Sequence, residues 1–177
     1  MRLLLFFAIL STALAASAGT LTKRKAVYPD SGSASGSLTV NMQSNTLKHS
    51  YLMPAPGQTC PDSKEGALQA YISDRQINDF TLLSPVRLDQ QRALGLSYVL
   101  VRLCPSTAKV LGVDVWHSKL GSAGYVSLPP PFAFKLEKHK DGSIGGSGEM
   151  VAPALFLSNE YQFSATFKAK LLKIEPL

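Results

Sequence analysis

The chain has 177 residues, 45% hydrophobic and 17% charged, a balance that excludes a disordered polymer and suits one domain with its own core. Its formal charge is +6. Removing Arg2, Lys23, Arg24 and Lys25 from the 18 basic residues leaves 14 against 12 acidic ones, and so balanced a body excludes a nucleic-acid binder, which concentrates positive charge on its fold.

In chain order, Arg2 precedes an apolar run from Leu3 that ends in small residues, with Ala16-Ser17-Ala18 as the favoured cleavage signature. Residues 1–18 read as a secretory signal peptide. The run is shorter than the roughly 20 residues needed to cross a bilayer, and no later stretch is long and apolar enough to do so. The mature chain is therefore expected to be secreted or periplasmic, without a transmembrane segment. Residues 19–36, basic and then rich in Ser and Gly, read as a flexible leader. Residues 37–177 read as a single all-β domain.

Leu38, Val40 and Met42 alternate with polar neighbours, which predicts a strand. "QSN" (43–45) reads as a turn, and Thr46 to Leu52 as the return strand of a hairpin, ended by Pro54 and Pro56. Leu68, Ala70 and Ile72 alternate again. "RLDQQRALG", Arg87 to Gly95, predicts the single short helix, with Asp89 as N-cap and Gly95 as its stop. "SYVLVRL", 97 to 103, is continuously apolar and reads as a central strand. Lys109 to His117 follows as another. "LPPPF", 128 to 132, reads as a stiff crossing or a recognition surface. Phe132, Phe134 and Leu136 lead to the hairpin turn at Asp141-Gly142, and "SIGGSGEM" (143–150) reads as a glycine-rich strand. "YQFSATFKAKLL" puts Tyr161, Phe163, Ala165, Phe167, Ala169 and Leu171 on one face, the clearest strand of all. About eight mostly antiparallel strands and at most one short helix predict an all-β sandwich, Ig-like or similar, or a small barrel.

Two cysteines, Cys60 and Cys104, are each followed by proline. An even count in an exported chain predicts one disulfide. If unstrained, the bridge is worth about 4 kcal/mol by loop-closure entropy.

"SGSLTV", "LKHSYL", "LQAYISDR" and the closing "GSGEM…YQFSATFKAKL" resemble a group of exported bacterial proteins of unknown function. These share a Leu-Lys-His-x-Tyr strand and a terminal Tyr-x-Phe strand. The resemblance spans most of the mature chain and implies export and β architecture. It brings no catalytic residues with it, and "SYLMPAP" departs from the group's pattern after the histidine.

Few residues stand out as chemistry. His49, expected on a strand face with Leu47 and Tyr51, is a ligand-binding candidate. With Met42 and Met53 it forms a weak soft-ligand set for a metal such as copper, although metal sites need several ligands at defined spacing. Trp116 offers a surface for stacking on a flat ligand. His117 is a further ligand-binding candidate; it points away from the face shared by Asp114 and Trp116, so no Asp–His pair is expected there. "GGSGEM" misses both the nucleophile-elbow and the phosphate-loop patterns. No catalytic residue, cofactor or metal is assigned. The expectation is a binding or interaction module rather than a catalyst, its partner another envelope or extracellular protein. A periplasmic or extracellular hydrolase and a small-ligand or metal carrier are the alternatives.

Overall fold

The structure, a computed structural model, describes residues 25–119, 125–127, 132–156 and 158–173. The signal-like segment, its cleavage signature, Lys23, Arg24 and residues 128–131 of "LPPPF" lie outside them. The strands are β1 (Gly32–Val40), β2 (Gln43–Thr46), β3 (His49–Thr59), β4 (Gly66–Ser73), β5 (Tyr98–Cys104), β6 (Lys109–Trp116), β7 (Tyr125–Ser127), β8 (Phe132–Lys138), β9 (Ile144–Met150), β10 (Ala154–Phe156) and β11 (Asn159–Ala169). Two helices, α1 (Asp79–Leu83) and α2 (Pro85–Ala93), stand between β4 and β5. The strands form one antiparallel sheet in the order β7-β6-β5-β4-β3-β1-β11-β9-β8, with β2 beside β1 and β10 beside β11. The sheet curls nearly into a closed barrel. This is the all-β antiparallel fold expected from the alternation, in its barrel form.

Alternation decides which residues face inward. Leu38 and Val40 of β1, Leu52 of β3, Ala70 and Ile72 of β4, Val99, Val101 and Leu103 of β5, and Val113 and Val115 of β6 meet Tyr161, Phe163, Ala165 and Phe167 of β11 in one buried cluster. The even positions of β11, Gln162 to Lys168, are exposed, as a period of two requires. The continuously apolar β5 has a second use for its other face. Tyr98 and Leu100 join Tyr51, Met53, Tyr71 and Trp116 beneath Leu82 and Leu88 of the helices. A strand buried on both faces loses the polar half of its pattern, which is why β5 reads as unbroken hydrophobe.

The cysteines are bonded, Cys60 to Cys104, with Cα atoms 5.7 Å apart. They tie the start of the β3–β4 connection to the end of β5 and pack with Ala55 and Ala67.

Several local readings need correction. The first hairpin turns at Asn41 and Met42, whose φ angles are 49° and 65°, a left-handed pair that matches strand twist. "QSN" is strand β2 instead. The Ser/Gly stretch counted as leader contributes Gly32 to Gly36 to β1, where each residue pairs with β11 or β3. Gly36 sits at φ +128°, and a Cβ there would lie 2.0 Å from the Ser164 carbonyl oxygen. Small residues in this segment permit close strand approach; they do not mark a linker. Pro54 and Pro56 fall inside β3. Past Leu52 this strand has β4 alone as its strand neighbour, and its register slips between Pro54 and Thr59, so missing donors are tolerated. There are two helices where at most one was expected. The second begins at Pro85 with Ser84 as its N-cap; Asp89, expected in that role, lies within it. Gly95 follows its end at φ +93°, as expected of a stop.

Candidate functional site

The helix pair owes its position to its caps. Asn78 caps α1 by accepting from the Thr81 amide at 2.8 Å. Ser84 ends α1 and caps α2, with Pro85 preset for the first helical turn. Asp79, 3% exposed, accepts from the Val27 amide at 2.9 Å and returns its own amide to the Val27 carbonyl. The chain before β1 is thus clipped to α1. Below, the Tyr51 hydroxyl accepts from the Ile77 amide at 3.0 Å, and burial raises that phenol's pKa.

Between the helices and the outer face of β3, β4 and β5 the packing is incomplete. A cleft of ≈ 550 Å³ is floored by Met53, Gln69, Tyr71 and Leu100 and walled by Leu82, Leu83, Pro85 and Leu88, with Pro56, Thr81, Ser84, Asp89 and Arg92 completing it. Its size falls within the range of small-molecule sites, and its character, apolar walls with a few polar groups, is theirs. A smaller depression of ≈ 230 Å³ lies on the exposed face of β8, β9 and β11, lined by Lys135, Ser147, Glu149, Ser164 and Thr166.

Arg92 sets one wall of the cleft. Its Nε donates to the Tyr98 hydroxyl at 2.9 Å, Nη2 donates to the same oxygen, and Nη1 pairs with Asp89 at 2.6 Å. The guanidinium carbon lies 4.7 Å from the Trp116 ring centre and 5.4 Å from that of Tyr98, within cation–π range. Tyr98 meets Tyr71 edge-on at 5.5 Å. Burial, partly offset by Arg92, pushes the Tyr98 phenol far above its ordinary range, so it stays neutral and serves as acceptor. The wall is therefore a fixed aromatic and guanidinium stack.

Beside it on the same face, Asp114 is fully buried. Its carboxylate pairs with Arg102 at 2.8 Å and accepts from the Ser127 hydroxyl at 2.6 Å. The residue types suggest chemistry, but the pair is spent on itself: a buried charge held by a partner and a hydrogen bond is a structural unit.

The expected site residues distribute as follows. Trp116 is 7% exposed and packed under Arg92, so it serves the cleft wall from behind and offers no open stacking surface. His117 is fully buried at the end of β6. Its Nδ1 accepts from the Lys119 amide at 3.2 Å. Its Nε2 lies near the Gln43 backbone without meeting hydrogen-bond geometry. Desolvation lowers its pKa, keeping it neutral. Nearby, Asn45 donates to Ser97 at 2.5 Å and Asp74 accepts from the Ser97 amide at 3.1 Å, closing that end of the barrel with polar contacts. His49 is half-buried, its Nδ1 3.3 Å from the Ser31 hydroxyl. It shares a face with Tyr51, whereas Leu47 belongs to the inner cluster: the expected return strand from Thr46 to Leu52 is interrupted at Leu47 and Lys48, which link β2 to β3.

Met42, placed on a strand by alternation, projects from the turn and is 92% exposed. Met53 is buried under the helices. Met42 follows Val40 at one end of β1, while His49 pairs with Ser33 near the other. At about 3.3 Å per residue that is roughly 20 Å, so the Met42–His49–Met53 set does not converge. Among the described residues no group of three or more His, Cys, Asp or Glu side chains is placed to hold a metal, and no helix is long and apolar enough to cross a membrane.

The cleft itself was missed because its walls are helices that alternation does not announce. One signal was present: "NDFTLLSPVRLD" carries Asn78 as a cap and Ser84-Pro85 as a second cap with proline at the first helical position. No protein family, curated protein or solved structure matches this chain.

Proposed function

We propose that the chain is an exported binding module whose helix–sheet cleft takes up a small, largely apolar ligand. The cleft of ≈ 550 Å³ between the outer face of β3–β5 and the helix pair carries this reading. Its lining suits retention rather than bond cleavage. The side chains named above include one carboxylate, Asp89, committed to Arg92, and no histidine or cysteine, whereas general acid–base hydrolysis needs a poised pair. Gln69 and Tyr71 on the floor supply the few polar contacts that orient an apolar guest. The signal-like N-terminus and the Cys60–Cys104 bond support export.

The test is a fluorescence titration with N-phenyl-1-naphthylamine, an uncharged probe that brightens in apolar surroundings. The expected result is saturable one-to-one enhancement. Leu83→Arg, which puts bulk and charge into the cleft wall, should weaken it by at least about tenfold, or 1.4 kcal/mol. Thr166→Ala, on the outer face of β11 away from the helices, should not change it. Linear, non-saturable enhancement, or equal binding by both variants, would overturn the reading.

A further inference from the structure

We infer that β8 is a dimerisation edge, and that its occupant is the β8 strand of a second copy of this chain. Among the described residues β8 has one strand neighbour, β9, and closes the sheet on that side. Its outer row of backbone donors and acceptors is the kind of edge that another strand extends. Charges along an edge usually keep strangers off. Here their order makes the edge fit itself.

A two-fold axis perpendicular to the sheet preserves faces, so residue i of one copy opposes residue j of the other only when i + j is even. Centred on Leu136, the pairing sets Lys135 against the other copy's Glu137 and Glu137 against its Lys135, two reciprocal opposite-charge pairs. Lys135 and Glu137 are both exposed on the outer face. On the inner face Leu136 meets Leu136. Phe134 and Leu136 are already half-buried against the core cluster, Phe134 lying 5.7 Å from Phe163. A Cβ on Gly148 would lie 2.2 Å from the Phe134 ring, so that ring lies directly on the β9 backbone and presents a preformed apolar surface at the edge. Centring on Lys135 instead would oppose two lysines, a like-charge pair that destabilises. Charge order therefore selects one register.

Sedimentation equilibrium of the mature chain across micromolar to submillimolar concentrations tests the inference. The wild type should show a monomer–dimer equilibrium. Lys135→Glu opposes two glutamates twice and should weaken the dimer at least tenfold. The swap Lys135→Glu/Glu137→Lys should return it to within about threefold of wild type, since cross-strand charge pairs depend on sign and not on order. A chain that stays monomeric throughout, a dimer indifferent to Lys135→Glu, or a swap that fails to restore it would each overturn the inference. Independently of affinity, chains carrying Lys135→Cys mixed with chains carrying Glu137→Cys should cross-link on mild oxidation, because directly opposed Cα atoms sit within disulfide reach. Lys135→Cys alone should not.

Discussion

The two halves of the sheet solve the same problem differently. From β3 to β6 the strands are buried on both faces, by the barrel interior on one side and by α1 and α2 on the other. From β1 through β11 and β9 to β8 only the inner face is covered, and the outer face is a field of Ser33, Ser35, Ser147, Ser164, Thr166 and Lys168 open to water. Within it the Ser35 and Thr166 hydroxyls bond at 2.6 Å. The covered half gains apolar area and a disulfide, and with the second layer comes a seam where packing can be incomplete. The uncovered half relies on close backbone approach. A cleft arises only where there are two layers to leave a gap between.

The largest expected effect breaks the covered half. Cys60→Ser/Cys104→Ser removes a bond spanning 44 residues of sequence, and chain entropy sets the loss at about 4 kcal/mol. Urea unfolding should show it, and a loss below about 1 kcal/mol would mean that the helices alone hold this half. Next, Gly36→Ala strikes the uncovered half through its backbone. A Cβ at 2.0 Å from a carbonyl oxygen on a residue with φ +128° should cost about 3 kcal/mol. A near-neutral result would show β1 free to move away from β11, and close approach would cease to define this half.

Smaller effects sharpen the view of the cleft wall. Arg92→Leu removes two donors from the Tyr98 hydroxyl and the stack on Trp116, and should cost about 1–2 kcal/mol while weakening probe binding. Unchanged stability together with unchanged binding would show that Arg92 is a bystander.

The smallest effects show only away from neutral pH. Tyr98 and Tyr71 have raised pKa values, chiefly through burial. Their contribution is complete below the unfolded phenol pKa of about 10 and is lost as pH rises toward the folded value. Tyr98→Phe should flatten that alkaline decline, followed by urea midpoints between pH 9 and 11. His117 runs the other way. Its folded pKa is lowered by desolvation, so its contribution is present above the unfolded value of about 6.5 and is lost as pH falls below it. His117→Gln should reduce the acid slope, and an unaltered slope would place the responsible group elsewhere.

The strands were legible because one buried face imposes a period of two. β11 shows this residue by residue from Tyr161 to Ala169. β5 was legible as central for the opposite reason, having no period at all. The disulfide followed from the even cysteine count of a chain expected to be exported. What failed was local. Met42 continues an apolar alternation yet occupies a turn, because Asn41 beside it accepts a left-handed backbone that hydropathy does not record. Gly32 to Gly36 look like linker because close approach and flexibility call on the same small residues. The site suffered most. Its walls come from β3, β4, β5 and both helices, and a gap between layers has no representation along a single chain. The histidines attracted notice for their chemistry, yet His117 is buried and His49 is tied to Ser31.

The pairing of β1 with β11 has a consequence for how the chain is made. The Ser35 and Thr166 hydroxyls that meet across it are 131 residues apart in sequence, so β1 cannot complete this pairing until β11 has been made. A barrel wired in this way has a high contact order and folds slowly. During that delay the growing chain exposes an unmatched edge, which favours aggregation in a crowded cytosol. Only the edge of β1 that faces β11 waits in this way, because β2 and β3 pair its other edge as soon as they are made.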